Sequence, residues 1–111
     1  MGLFGRGKKE NTRGFRRETA KKLDGRAIKY VTERTPDGES VIGRSGALIL
    51  KGDELLVYSS ADVVFRCLID EMDAGELMSM EGVILTAPDL EHGGSVRTVT
   101  AYYTHYMAKN G

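Results

Sequence analysis

From Arg26 onward apolar and polar residues alternate with a period of two, the pattern of strands that bury one face. Ala27 to Thr35 is rich in Ile, Tyr, Val and Thr, and Pro36-Asp37-Gly38 then breaks it with turn chemistry. Ser40 to Leu50 resumes the strand pattern, with glycines at 43 and 46 that predict a bulge or sharp bend. Lys51-Gly52-Asp53-Glu54 predicts a tight hairpin, with Gly52 and Asp53 as its central residues and Lys51 facing Glu54 as an opposite-charge pair. In that register Leu50 opposes Leu55, Ile49 opposes Leu56 and Leu48 opposes Val57. Both faces are apolar there, which places the hairpin in the middle of the structure. Ser59 to Asp62 reads as the next turn and Val63 to Ile69 as the next strand, with Val63, Phe65, Cys67 and Ile69 on one face. Gly82 to Ala87 is a further strand, Pro88 to Ser95 a polar loop, and Val96 to Met107 the longest strand pattern.

Two segments depart from that period. Asp73-Ala74-Gly75-Glu76 resembles a capping box ahead of Leu77, Met78 and Met80, and predicts one or two helical turns that Gly75 weakens. Phe15, Thr19, Lys22 and Leu23 recur at helical spacing, Glu18 and Lys22 stand four apart, and Gly25 sits where a helix would end. A basic helix or linker is expected over 15–24, held only if Phe15 and Leu23 dock. Residues 1–14, with apolar side chains only at Met1, Leu3 and Phe4, are expected to form a disordered basic arm.

The chain of 111 residues has room for one core. Residues 25–111 are expected to form it: a mainly β, antiparallel barrel or roll of about five to six strands. The stretch GALILKGDELLVYSSADVVFRCLI, residues 46–69, resembles the central meander of small bacterial pleckstrin-homology/GRAM-like domains. The opening MGLFGRGKK is similar to the starts of small bacterial cytoplasmic proteins, and GELMSMEGVIL with RTVTAYYTHYM resembles a bacterial family without assigned activity. The resemblance implies a small barrel used for binding. It also implies a helix closing the barrel at its C-terminal end, whereas here the chain ends in a strand pattern and segment 15–24 is the helix available to cap it.

Charge adds the first functional hint. The net charge is zero, yet residues 1–26 sum to about +6 and residues 27–111 to about −6. A basic end on an acidic body suggests either a polyanion partner or contact between the two parts. Arg6, Lys8, Lys9, Arg13, Arg16, Arg17, Lys21 and Lys22 are the candidate residues for nucleic acid or an anionic membrane surface, with Leu3 and Phe4 suited to weak membrane contact. Tyr102, Tyr103, His105 and Tyr106 are the candidates for a protein interface or for self-association through the last strand.

Enzyme chemistry finds little support. Gly2 to Lys9 fits G-x4-G-K but lacks the Ser or Thr that would hold magnesium, and no strand precedes it. Gly43-Arg44-Ser45-Gly46-Ala47 half-matches a nucleophile elbow, but strand pattern flanks it on both sides. Asp89, Glu91 and His92 share one loop and read as solvated rather than metal-binding, as do Glu71, Asp73 and Glu76. Cys67 reads as a core hydrophobe, and as the only cysteine it forms no internal disulfide. Arg6 stands where a myristoylation signal needs Ser or Thr, and no apolar run is long enough for a signal peptide or a membrane span. The expectation is a cytoplasmic, non-enzymatic interaction module without a cofactor. The alternative is polyanion binding through the basic end.

Overall fold

A computed structural model describes residues 12–104. The chain enters through α1 (Arg13–Leu23), whose N-cap is Thr12: its hydroxyl accepts from the Phe15 amide at 3.2 Å. The helix stops at Asp24, whose amide donates back to the Ala20 carbonyl, and Gly25 follows at φ 84°. Lys21 and Lys22 sit in its last turn, where cations favour the helix dipole. Ala20 and Leu23 are buried, and each large aliphatic side chain so covered contributes roughly 1.5–3 kcal/mol. The helix thus begins two residues inside the segment expected to be disordered. Leu23 docks as expected, but Phe15 stays 43% exposed.

Seven strands follow: β1 (Ala27–Thr35), β2 (Gly38–Lys51), β3 (Glu54–Ser59), β4 (Asp62–Leu68), β5 (Asp73–Glu76), β6 (Gly82–Pro88) and β7 (Val96–Tyr103). They form one antiparallel sheet in the order β4-β3-β2-β1-β7-β6-β5. The mainly β expectation holds, but there are seven strands rather than five to six, and the sheet stays open. Closure would require β4 to pair with β5. Instead the 3-10 turn Ile69–Glu71 carries the chain between them, and β5 is only four residues long. The free edge of β4 is covered differently: the Arg66 amide donates to the Asp89 carboxylate, 3.1 Å away.

The hairpin register matches residue for residue, with Leu50 opposite Leu55, Ile49 opposite Leu56 and Leu48 opposite Val57. Gly52 has φ 62°, as the first central residue of a type II′ turn requires. Leu55 and Leu56 are both buried, and β2 and β3 are interior strands. The bend foreseen near Gly43 and Gly46 is a register shift opposite Val31/Thr32, followed by Ser45 at φ 52°. Gly46 lies so close to β3 that an added Cβ would sit 1.6 Å from the Tyr58 carbonyl oxygen. A second shift between Val57 and Tyr58 turns Val64, rather than Val63, toward the core.

Two elements differ from the sequence pattern. Asp73-Ala74-Gly75-Glu76 is a strand, not a helical start, because it pairs with Thr86 to Val83 of β6. The longest strand is β2 with 14 residues, while β7 has eight. Nor is β7 an edge: β1 pairs on one side and β6 on the other, so its described backbone offers no free ladder to a second copy. The inner face of the sheet and α1 share one core, including Ile28, Leu48, Leu55, Phe65, Leu85 and Tyr103.

Candidate ligand groove

Strand β6 links two contrasting places. Its C-terminal end leads into a polar cluster around Asp89, a fully buried carboxylate. Asp89 accepts from the Arg66 amide, from the Glu91 amide at 3.0 Å and from the Arg97 guanidinium, and His92 Nδ1 lies 2.6 Å from it. Burial pushes its pKa up, but His92, the two amides and Arg97 outweigh that and hold it below the usual carboxylate range. Arg97 also makes a two-pronged pair with Glu33, at 2.7 and 2.9 Å, which lowers the Glu33 pKa. Beside it Arg66 binds both oxygens of Glu54 at 3.1 Å and Glu91 at 3.0 Å. Asp89, Glu91 and His92 do converge here, but arginines and backbone amides take up the Asp89 oxygens. Among the described residues no group of three or more His, Cys, Asp or Glu is arranged to hold a metal ion. The cluster locks loop 88–95 to β4 and β1. These contacts give it the character of structural glue.

The other end of β6 opens onto a groove of about 520 Å³. Phe15, Thr19, Lys22 and Leu23 of α1 form one wall, extended by Arg26. These four helix residues are the stripe visible in the sequence, one face of a 3.6-residue repeat. Ala74 and Glu76 of β5, Met80 of the following turn and Val83 of β6 form the other wall. The turn is pinned by the Leu77 amide to the Gly82 carbonyl, 2.9 Å, and Met80 has φ 66°. Tyr103 lies beneath, fully buried, with the Arg26 guanidinium 3.6 Å from its ring centre and its hydroxyl donating to Glu76. Burial first, then Glu76, drives the Tyr103 pKa well above its ordinary value, so the hydroxyl stays protonated.

Apolar side chains gather at this rim. Phe15 and Met80 are two of the five exposed large hydrophobics among the described residues. The Glu18–Lys22 pair suggested by their spacing is not formed, and Lys22 lines the groove without an ion-pair partner among the described residues. The neighbouring arginines are engaged. Arg13 and Arg17 bind Asp70 at 3.1 Å, Arg17 reaches Asp53 at 3.2 Å, and Arg16 donates to the Asp70 carbonyl at 2.7 Å. Arg17 foremost holds the Asp70 carboxyl below its ordinary range. The basic helix therefore meets the acidic body at Asp70 and Asp53.

The sequence-derived candidates divide accordingly. Arg13, Arg16 and Arg17 clamp the helix to the sheet, while Lys21 and Lys22 are exposed. Tyr102 faces outward and stacks on Tyr30 with ring centres 4.7 Å apart. Tyr103 faces inward and, being fully buried, presents no surface to a partner. Arg6, Lys8, Lys9, His105 and Tyr106 lie outside the described residues. Cys67 is buried, and burial pushes its thiol up to about 12, well away from reactive values. The sequence reading missed Arg26, Ala74, Glu76, Met80 and Val83 as groove residues. The one available signal, the apolar run Leu77, Met78 and Met80, had been read as a helix. No helix among the described residues is long and apolar enough to cross a membrane. No family model, curated protein or solved structure matches the chain.

Proposed function

We propose that the protein is a non-enzymatic binding module and that the groove between α1 and the β5–β6 side of the sheet is its binding site. One observation carries this reading: an open apolar volume of about 520 Å³ persists beside a core whose other side chains are packed. That size falls within the roughly 300–1,000 Å³ typical of small-molecule sites. Thr19, Lys22 and Arg26 supply the few polar groups that would orient a ligand. The pleckstrin-homology/GRAM-like resemblance enters as a proposal about architecture. A seven-strand meander whose first and last strands pair supports it; the one helix among the described residues stands before β1, which departs from it.

Binding of a polyanion is less favoured, because three of its candidate residues, Arg13, Arg16 and Arg17, are already engaged with Asp70 and Asp53.

The test uses 1-anilinonaphthalene-8-sulfonate on the folded full chain, followed through methyl NMR shifts. Saturable shifts at Leu23, Met80 and Val83 are expected, and Ala74→Trp should abolish them by filling the groove. Shifts scattered elsewhere, or none at all, would overturn the assignment of this groove as the site.

A further inference from the structure

We infer that the groove takes a free long-chain fatty acid, its chain along the apolar walls and its carboxylate at Lys22 and Thr19. This rests on the groove being the binding site. Size argues for a small ligand: nine residues line the groove, against about 20–30 residues a side in a stable protein interface. The walls argue for a flexible hydrocarbon. Phe15, Leu23, Ala74, Met80 and Val83 make five of the nine lining residues apolar, with aromatic, aliphatic and thioether side chains. Charge argues for an anionic head. Among the described residues Lys22 has no ion-pair partner, and it lies one turn from Thr19, so a carboxylate placed there would gain both an ammonium and a hydroxyl donor. Arg26 adds a second positive charge beside Tyr103.

The same charges argue against an anionic bilayer as occupant. Asp73 and Glu76 border this face alongside Lys22 and Arg26, so an extended negative surface meets carboxylates as well as cations. A single carboxylate needs only the Lys22 position. Glu76 makes no ion pair with Lys22 among the described residues, and its carboxylate accepts from the Tyr103 hydroxyl.

The experiment titrates the full chain with saturated fatty acids of increasing length, each below its micelle threshold, in competition with 1-anilinonaphthalene-8-sulfonate. Affinity should rise about fourfold per methylene until the groove is full, then level off. The primary alcohol of the same length should bind about tenfold more weakly. Lys22→Met should weaken the acid by that same factor and leave the alcohol unchanged. Equal affinities for acid and alcohol, or an unchanged acid affinity in Lys22→Met, would overturn the carboxylate assignment. Binding to phosphatidylglycerol vesicles but not to monomeric acid would replace the fatty acid with a membrane surface. If the sulfonate probe binds the groove and no fatty acid displaces it, this inference fails while the groove remains a binding site. If the probe does not bind either, both fail.

Discussion

The two ends of β6 handle polarity and volume in opposite ways. At Pro88 the strand delivers Asp89 into a cluster where arginines, histidine and backbone amides surround a fully buried carboxylate. At Val83 it borders a groove with unfilled volume, exposed Phe15 and Met80, and a lysine without an ion-pair partner among the described residues. A buried charge that is fully hydrogen-bonded is bound up with the fold and has little left to offer a ligand. Apolar surface left uncovered beside an available cation is the reverse: it adds little to stability and keeps its interactions for something else. The distinction separates glue from site more clearly than residue type does, since both ends contain the same kinds of charged residue.

The sharpest way to break the comparison is to unbalance the cluster. Asp89→Ala leaves one arm of Arg97, still paired with Glu33, and the Arg66 and Glu91 amides without their acceptor, and should cost about 2–4 kcal/mol in urea unfolding. Probe binding by the fraction that remains folded should not change. A loss below about 1 kcal/mol would mean that the cluster is ornamental and that the contrast with the groove is empty.

Acid should pick out the same end. Asp89 and Glu33 are held below the ordinary carboxylate range in the folded chain, whereas in the unfolded chain they return to about 4. A depressed folded value stabilises the fold above the unfolded value, and that stability is lost as pH falls through the folded one. The urea midpoint should therefore be level above about pH 5 and drop below about pH 4, with a shallower drop in Asp89→Asn. Asp70, at the helix clamp, is also depressed, but its greater exposure to solvent limits its share. A midpoint that rises on acidification would contradict these directions.

Next in size is the hairpin that connects the sheet to the helix. Gly52 at φ 62° sets the turn that presents Asp53 to Arg17. Gly52→Val should cost more than about 1 kcal/mol, since a β-branched residue is strained there although nothing crowds the position. A neutral result would show that the turn relaxes, and then Asp53 contributes little to seating α1.

What the sequence revealed of all this follows the distance over which the information is carried. The hairpin register was readable because turn chemistry and strand alternation sit within a dozen residues. The stripe Phe15, Thr19, Lys22 and Leu23 was readable because helical spacing is local. The Asp73–Glu76 segment was misread because D-x-x-E suits a helix start as well as a strand, and pairing with Val83–Thr86 decides between them. The open sheet and the interior place of β7 depend on long-range neighbours that no local pattern specifies. The role of Asp89 was invisible for the same reason: Arg97, which binds it, also reaches Glu33, 64 residues away. The helical stripe was therefore legible as a packing face but not as the wall of a groove, and the wall from β5 and β6 was not legible at all.

The smallest expected effect bears most directly on function. On α1, Leu23 and Phe15 lie on one stripe, yet Leu23 is 2% exposed and Phe15 43%. Truncating Leu23 to Ala should cost about 2–5 kcal/mol through lost burial and the cavity left behind. Truncating Phe15 to Ala removes a ring that already meets water on one side, and should change stability by less than about 0.5 kcal/mol. The same Phe15→Ala change should still weaken the sulfonate probe several-fold, because the ring forms one wall of the groove. Stability kept and affinity lost is the signature of a residue held for a ligand. If Phe15→Ala instead destabilises the chain as much as Leu23→Ala, the ring belongs to the core. The groove would then be a packing defect at the helix end rather than a site.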